Sequence, residues 1–509
     1  MTYALLSVFL IPLIATPFVY FVGKKSAKAA AMFVSLMALI NIGLVLTTVP
    51  TVLNDPTHRY FERYDWIPQI LNTKFTLFVD GISVSIALVS LVLILVASLY
   101  SINYMSEKKN LPVYYSLLSL LSVGLVGVFL TSNLLLFYFC WELMLVPAYF
   151  IVGEWGYRDS YKSAFKLFIF THAGAVFVLL GIGAIYVTTG TTDMFVAQNA
   201  LLSASPLIVK SVLIALTAGF AVKMAIVPVH LWLPDAHSEA PAPMSALLSG
   251  VIISAGAYAI LRLSFGVVFP SVGVAFGTDF VHVLAIFGII SAFFGSLLAL
   301  RETDIKRLIA YSSIAHMGYI MFGLSLFPTS VLAGTVVLLA SATAIAGTVL
   351  HILTHAVSKG LFFLTAGGVM HQTENRDIRK MGGLVSRMPF STVSGMIAAL
   401  SIAGAPPFAC FISEFLIFVG AFQIMQTDPF FIIPTALMLI ATVLSLAYSL
   451  RFVSTVFLGQ PQSENEEGKK TLEIPNYMKL SLAILVVLTV LIGIFPSFFL
   501  NLIQTVQFG

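Results

Sequence analysis

Charge is what this sequence has least of. Its 509 residues hold 26 Lys and Arg and 22 Asp and Glu, so 9% of the chain is charged while 59% is hydrophobic. A soluble protein averages about 25% charged residues. The deficit excludes a soluble globular protein and a disordered chain, and it places the protein in a lipid bilayer. Cysteine is nearly as scarce. Cys140 and Cys410 each sit inside an apolar run with no second sulfur nearby, which excludes a disulfide scaffold. Iron–sulfur clusters and zinc sites need several ligands at short spacing, so neither is expected. No glycine-rich phosphate loop joins a strand to a helix. The net charge is +4, with the basic residues dispersed, and nucleic acid is not an implied partner. No cofactor is expected in this chain, and the redox or nucleotide chemistry that drives it lies elsewhere.

Long apolar runs are abundant, and about 20 such residues make one spanning helix. They fall at 3–23, 29–50, 80–103, 111–131, 133–153, 163–188, 207–233, 241–264, 280–300, 308–327, 331–371, 390–425, 431–457 and 478–503. The first is too long for a signal-peptide core and reads as a retained helix. The run 331–371 fits one long crossing or two short ones. Lys and Arg concentrate on the cytoplasmic side of membrane proteins. With Lys24, Lys25 and Lys28 inside, alternate loops gather 18 basic residues, including Lys108, Arg158, Lys306, Arg307, Arg376 and Lys380. Only Arg59, Arg63, Lys74, Lys210 and Arg262 fall outside. That segregation persists if 331–371 crosses an odd number of times. The expectation is an all-α polytopic membrane protein of about 14 helices, multi-pass in a prokaryotic plasma membrane, with both termini outside.

The chain divides into residues 1–110 (three helices and an external segment, 51–79), 111–264, 265–457 and 458–509. The segment 51–79 is polar and aromatic and reads as an interfacial cap with room for a short hairpin. Residues 459–476 read as a solvated cytoplasmic loop.

Three basic residues remain inside the apolar runs, Lys166, Lys223 and Lys359, together with the acids Glu142 and Glu414. An ionisable group at mid-membrane costs at least about 2.5–3.5 kcal/mol, so such groups face a bundle interior and mark an ion path or a structural ion pair. A carboxylate held between burial and a nearby ammonium can load and release a proton, which suits Glu142 facing Lys223. Pro228 breaks the helix after Lys223, ahead of His230 and His237. Pro406 and Pro407 break the twelfth run ahead of Glu414. Interrupted helices are tolerated where they border a water-filled cavity. Their placement five runs apart suggests two inverted five-helix repeats, each with a broken helix. His351, His355 and Lys359 lie at i, i+4 and i+8 on one helix face, a stripe of about 12 Å that suits a proton relay. His316 adds a titratable group. His172 reads instead as a helix–helix hydrogen-bond donor. Metal ligation by these histidines is not expected, since no Cys or acidic residue stands at suitable spacing.

Trp141–Pro147, Lys223, Pro228–His237, Asp304–Ser313 and Phe411–Phe415 together resemble the antiporter-like membrane subunits of respiratory complex I. That family includes subunits of multisubunit sodium/proton antiporters and of membrane-bound hydrogenase-type complexes, and the likeness is greatest to its M-type (chain 4) members. The resemblance implies 14 helices with two inverted half-channels. It also implies a charge pair of the Glu142 and Lys223 type, a central lysine in the eighth helix, and Glu414 serving the second half-channel. His316 and the His351–Lys359 stripe match the hydrophilic axis between them. One departure is plain: the family's Gly-x-x-x-Lys stands here as Gly250 to Ser254, with serine in place of the central lysine. Iron–sulfur clusters and a flavin or nickel–iron site are implied only for partner subunits, and the partners are other membrane subunits of the assembly. The functional expectation is a proton- or sodium-translocating subunit coupled to electron transfer in those partners, with no redox chemistry of its own. The competing expectation is a subunit of a secondary sodium/proton antiporter without a redox partner, and a third is a structural subunit with an inactive channel.

Overall fold

In the computed structural model, which describes residues 3–54, 59–67, 73–328, 335–460 and 473–504, hydropathy becomes helix with little exception. Thirteen helices among the described residues are long and apolar enough to cross a membrane, and two shorter apolar helices flank a break. In chain order the helices used below are α1 (Ala4–Lys25), α2 (Ala27–Leu46), α3 (Gly81–Tyr104), α4 (Leu111–Leu130), α5 (Leu134–Trp155), α6 (Ser160–Thr189), α7 (Pro206–Met224) and α8 (Leu233–Glu239). They continue as α9 (Ala242–Ser271), α10 (Val274–Arg301), α11 (Ile305–Ser325), α12 (Thr335–Thr373), α13 (Pro389–Ile402), α14 (Ala409–Ile424), α15 (Pro429–Leu458) and α16 (Asn476–Ile494). Polar residues set their starts. Asp80 and Ser83 form a reciprocal capping box on α3, the Asn133 side chain accepts from Leu136 N at 2.9 Å to cap α5, and Asp304 accepts from Lys306 N and Arg307 N to cap α11. Each satisfies backbone donors that the first turn leaves free.

The architecture inverts that of a soluble protein. α3, α9 and α11 are almost wholly enclosed by other helices. Large apolar side chains such as Phe18, Phe21, Leu180 and Ile433 point outward from α1, α6 and α15. Glycine sets the closest approach: a Cβ on Gly295 would lie 2.5 Å from Ala315 N, and one on Gly318 would lie 2.5 Å from Ala292 N, so α10 and α11 run nearly backbone to backbone.

The segment 51–79 contains the hairpin expected of it, β1 (Tyr60–Ile67) antiparallel to β2 (Thr73–Val79) with Phe61 opposite Phe78. Residues 55–58 and 68–72 lie outside the description. The Glu62 carboxylate accepts from Leu5 N and Leu6 N at 3.0 Å each, so the hairpin caps α1, where the helix dipole favours an anion. At the other end of the chain, Glu473 accepts from Phe390 N at 2.8 Å and does the same for α13. Of the loop expected over 459–476, residues 461–472 lie outside the description.

The run 331–371 proves to be one continuous 39-residue helix from Thr335. At 1.5 Å per residue it is about 58 Å long, roughly twice the hydrocarbon thickness of about 30 Å, and it packs against α3, α9, α11, α13, α14 and α16. Residues 331–334 lie outside the description.

Two flank assignments are corrected. Arg262, read as external, is 4% exposed inside α9, where its Nη1 and Nη2 each reach an Asp80 oxygen at 2.7 Å. Lys306, read as part of a cytoplasmic loop, is fully buried and donates to Ala240 O. Hydropathy cannot distinguish a cation at a helix end in water from one enclosed by neighbouring helices.

Candidate functional site

Both predicted breaks form, and they are built alike. α7 ends at Met224 with Ala225 left-handed at φ 58°, and Ile226 N returns to Ala221 O at 3.1 Å. α13 ends at Ile402, with Gly404 left-handed at φ 67° and Ala405 N bonded to Leu400 O at 3.0 Å. In each case a proline, Pro228 or Pro407, follows the left-handed residue by three positions. Neighbouring side chains satisfy the freed backbone. Val227 N donates to Ser291 Oγ and Trp232 Nε1 to Val222 O, both at 3.0 Å, and Ser445 Oγ donates to Ile402 O at 3.1 Å. Such replacement bonds are what allow irregular backbone at membrane depth.

Lys223 lies at the end of α7, 2% exposed. Its ammonium donates to Trp141 O at 3.0 Å and stands 3.9 Å over the Trp141 ring, a cation–π contact. The expected ion pair with Glu142 is not formed. Glu142 projects from the next position of α5 and binds His172 Nδ1 of α6 at 3.0 Å, with side chains 25% and 49% exposed. His172 is thus the helix–helix partner it was expected to be, and it takes the place expected of Lys223. Lys166 is brought to neither residue. It pairs with Asp235 at 2.7 Å, and Arg307 reaches the other Asp235 oxygen at 2.7 Å, all three about one-third exposed. Burial alone would raise the Asp235 carboxyl, but hydrogen bonds from Lys166 and Arg307 outweigh it and hold the group below its ordinary value. This cluster joins α6, α8 and α11.

The second group centres on α12. His351, His355 and Lys359 are fully buried along one face. The Lys359 ammonium donates to Ser312 Oγ and lies 3.4 Å from Ile309 O, both on α11. His355 has no protein hydrogen-bond partner on either ring nitrogen among the described residues. His351 Nε2 meets His316 Nδ1 of α11 at 3.2 Å, His351 Nδ1 meets Ser413 Oγ at 2.9 Å, and His316 Nε2 meets Tyr448 OH at 3.1 Å. Glu414 is 7% exposed and lies against Gly404, where a Cβ would come within 2.4 Å of Glu414 Oε2. Ligand atoms of His316, His351 and Glu414 fall within 4.8 Å of one another. An acidic partner for the histidines therefore exists in space although none stands near them in sequence.

The two groups meet through α8. His237 stacks on Phe363 of α12 with ring centroids 5.0 Å apart, one turn beyond Lys359, and both its ring nitrogens lack hydrogen-bond partners among the described residues. His230, in the first break, packs edge-on to Phe294 at 4.8 Å. Ser254 is buried in α9 and donates to Gly250 O of its own helix at 2.9 Å, so the position carries a satisfied hydroxyl. Sequence reading missed Tyr448, which sits in an unbroken apolar run and gives no signal. Ser312 and Ser413 lie inside motifs noted for their neighbours, and their hydroxyls acquire partners only through helix packing. At one end of the molecule a cavity of about 950 Å³ is lined by Lys108, Arg158, Glu239, Arg307, Arg376 and Lys380, among others.

Comparison with known proteins places the chain in a family. A family model described as NADH:quinone oxidoreductase/Mrp antiporter, TM, matches residues 131–445. The chain is 32% identical over 508 residues to NADH-quinone oxidoreductase subunit M of Rickettsia felis, covering 98% of this chain and 96% of that one. It is 30% identical over 497 residues to F(420)H(2) dehydrogenase subunit M of Methanosarcina mazei, covering 96% and 94%. A chain of respiratory complex I from Thermus thermophilus shares the fold with a TM-score of 0.82 over 98% of each chain, at 22% identity. This multi-pass chain therefore belongs to the membrane subunits of the NADH:quinone oxidoreductase/Mrp antiporter family.

Proposed function

We propose that the chain is the proton-translocating, antiporter-like membrane subunit of a complex-I-like oxidoreductase in a prokaryotic plasma membrane, working beside other membrane subunits and driven by redox centres in partner chains. The observation that carries this reading is the enclosed line of nitrogen bases on α12 and α11: Lys359, His355, His351 and His316, ending at Glu414. Buried ionisable groups are expensive, and a line of them at one-turn spacing has a use as a relay. Imidazole and amine nitrogens accept protons, whereas a hard cation such as sodium prefers oxygen ligands, so the path favours H⁺ over Na⁺.

In this reading the breaks supply water-accessible ends, and the crossings number 14 when α13 and α14 count as one interrupted helix beside the thirteen long ones. The shared construction of the two breaks supports two inverted half-channels. The end bearing the 950 Å³ cavity and its cluster of Lys and Arg faces the cytoplasm by the positive-inside rule, and both termini face the other side. A proton held at Lys223 passes by way of His230 and His237 to Lys359, through water at His355, across the His351–His316 contact and out at Glu414. The Glu142–His172 pair sets the charge beside Lys223. Opposing a potential of 100 mV costs about 2.3 kcal/mol per proton, which a change of one to two pKa units at about 1.36 kcal/mol each supplies. Ser254 adds no charge, so Lys359 carries the central role that a lysine at 254 would have.

The test is Glu142→Gln in the assembled complex, reading protons moved per electron transferred. A fall of about tenfold or more, the scale of a lost proton-transfer group, supports the reading. Unchanged coupling refutes it. Co-purification decides between this and a secondary antiporter: redox subunits that migrate with the chain support the first, and their absence from a transport-competent assembly supports the second.

A further inference from the structure

The contact between His316 and His351 has a geometry that proton relay alone does not require. Two nitrogens bound to one tetrahedral zinc ion at about 2.0–2.1 Å lie about 3.3 Å apart, and His316 Nδ1 and His351 Nε2 are 3.2 Å apart. The other nitrogen of each ring faces a hydroxyl, Tyr448 OH at 3.1 Å and Ser413 Oγ at 2.9 Å. This is the outer-shell support that fixes the tautomer of a metal-bound histidine. Glu414 brings a carboxylate oxygen within 4.8 Å of a ring nitrogen of each histidine. It also lies beneath the break at Gly404, whose Pro406 and Pro407 are exposed, so the ligand set has one edge close to the surface. Two imidazoles and one carboxylate with a free fourth position suit zinc and its neighbours in the first transition row, and are a poor match for sodium, magnesium or calcium.

We propose that His316, His351 and Glu414 form a binding site for a zinc-class divalent cation, and that a bound cation stops proton passage by occupying the lone pairs the relay uses. The second half of this inference rests on the proposed proton route; the first half stands on the ligand geometry alone.

The experiment loads the intact assembly with Zn²⁺ and measures bound zinc, its X-ray absorption spectrum and proton translocation, in the wild type and in His351→Gln. The wild type is expected to show two imidazoles and one carboxylate oxygen in the zinc shell, and one zinc ion per chain that His351→Gln loses. Translocation is expected to fall at least tenfold with zinc and to recover with a chelator. A zinc shell without imidazole, or equal zinc content in both proteins, overturns the site. Zinc bound at the site with translocation unaffected leaves the site standing and overturns the proton route. If His351→Gln fails to assemble, Tyr448→Phe keeps the packing and removes one outer-shell hydroxyl. Zinc affinity is then expected to drop about tenfold, and an unchanged affinity overturns the site.

Discussion

Lys359 spends two of its three N–H donors on Ser312 and the Ile309 carbonyl, with no carboxylate among its described contacts. An ammonium held this way can give up its proton without leaving a buried anion behind. Lys359→Met keeps the length of the side chain and removes the charge, and it is expected to reduce protons moved per electron about tenfold or more, read by proton uptake in proteoliposomes. Asp80 and Arg262 show the opposite logic. Their twofold contact is enclosed on both sides, and Asp80 also caps α3. Arg262→Leu therefore strands a buried carboxylate at a cost of about 3–5 kcal/mol, read as lost assembly or a lower inactivation temperature. The double variant Asp80→Asn, Arg262→Leu is expected to recover part of that loss. A double variant no better than the single one would show that the pair does not act as a unit.

Each interrupted helix turns on one left-handed residue, and the two differ in what surrounds it. Gly404 meets Glu414 where a Cβ would stand, so Gly404→Ala is expected to displace the carboxylate and lower translocation. Ala225 already holds φ 58° with a Cβ in place, so Ala225→Gly relieves a left-handed penalty of about 1–2 kcal/mol against about 0.4–1 kcal/mol of added unfolded-chain freedom, and it is expected to be neutral or mildly stabilising, read in the same inactivation assay. The clamp on α8 adds a pH dependence. Because the Asp235 carboxyl is held below its ordinary value in the folded chain, its contribution is present at neutral pH. It fades as pH falls below the ordinary aspartate value of about 3.9 and through the depressed one. Wild type is accordingly expected to exceed Asp235→Asn in thermal stability at pH 7, and the difference is expected to shrink as pH falls below about 3.9. A difference that persists at low pH would assign the effect to packing.

For the whole molecule, the half-exposed Glu142–His172 pair stands amid outward apolar side chains such as Phe139, Phe150, Phe165 and Ile169. A polar pair at that depth is costly against lipid, so a neighbouring membrane subunit is expected to cover it. A photo-crosslinker at Phe139 should capture protein, and labelling of lipid alone would refute this. The membrane class, the positions of nearly all the helices, both breaks, and Lys223, Glu414 and the α12 stripe were legible in the residue order. Apolar run length, proline and one-turn spacing are local properties, and the bilayer admits few alternatives to a helix. Partnership was not legible. His172 in place of Lys223 beside Glu142, the clamp on Lys166, the burial of Arg262 and Lys306, and the meeting of His316, His351 and Glu414 join residues 30 to 182 positions apart. The sequence alone determined that a few charges would be enclosed by the membrane. Only tertiary structure decided which of them neutralise one another and which stand without a counter-charge, because a contact of about 3 Å depends on how helices rotate and cross, and no periodicity encodes that.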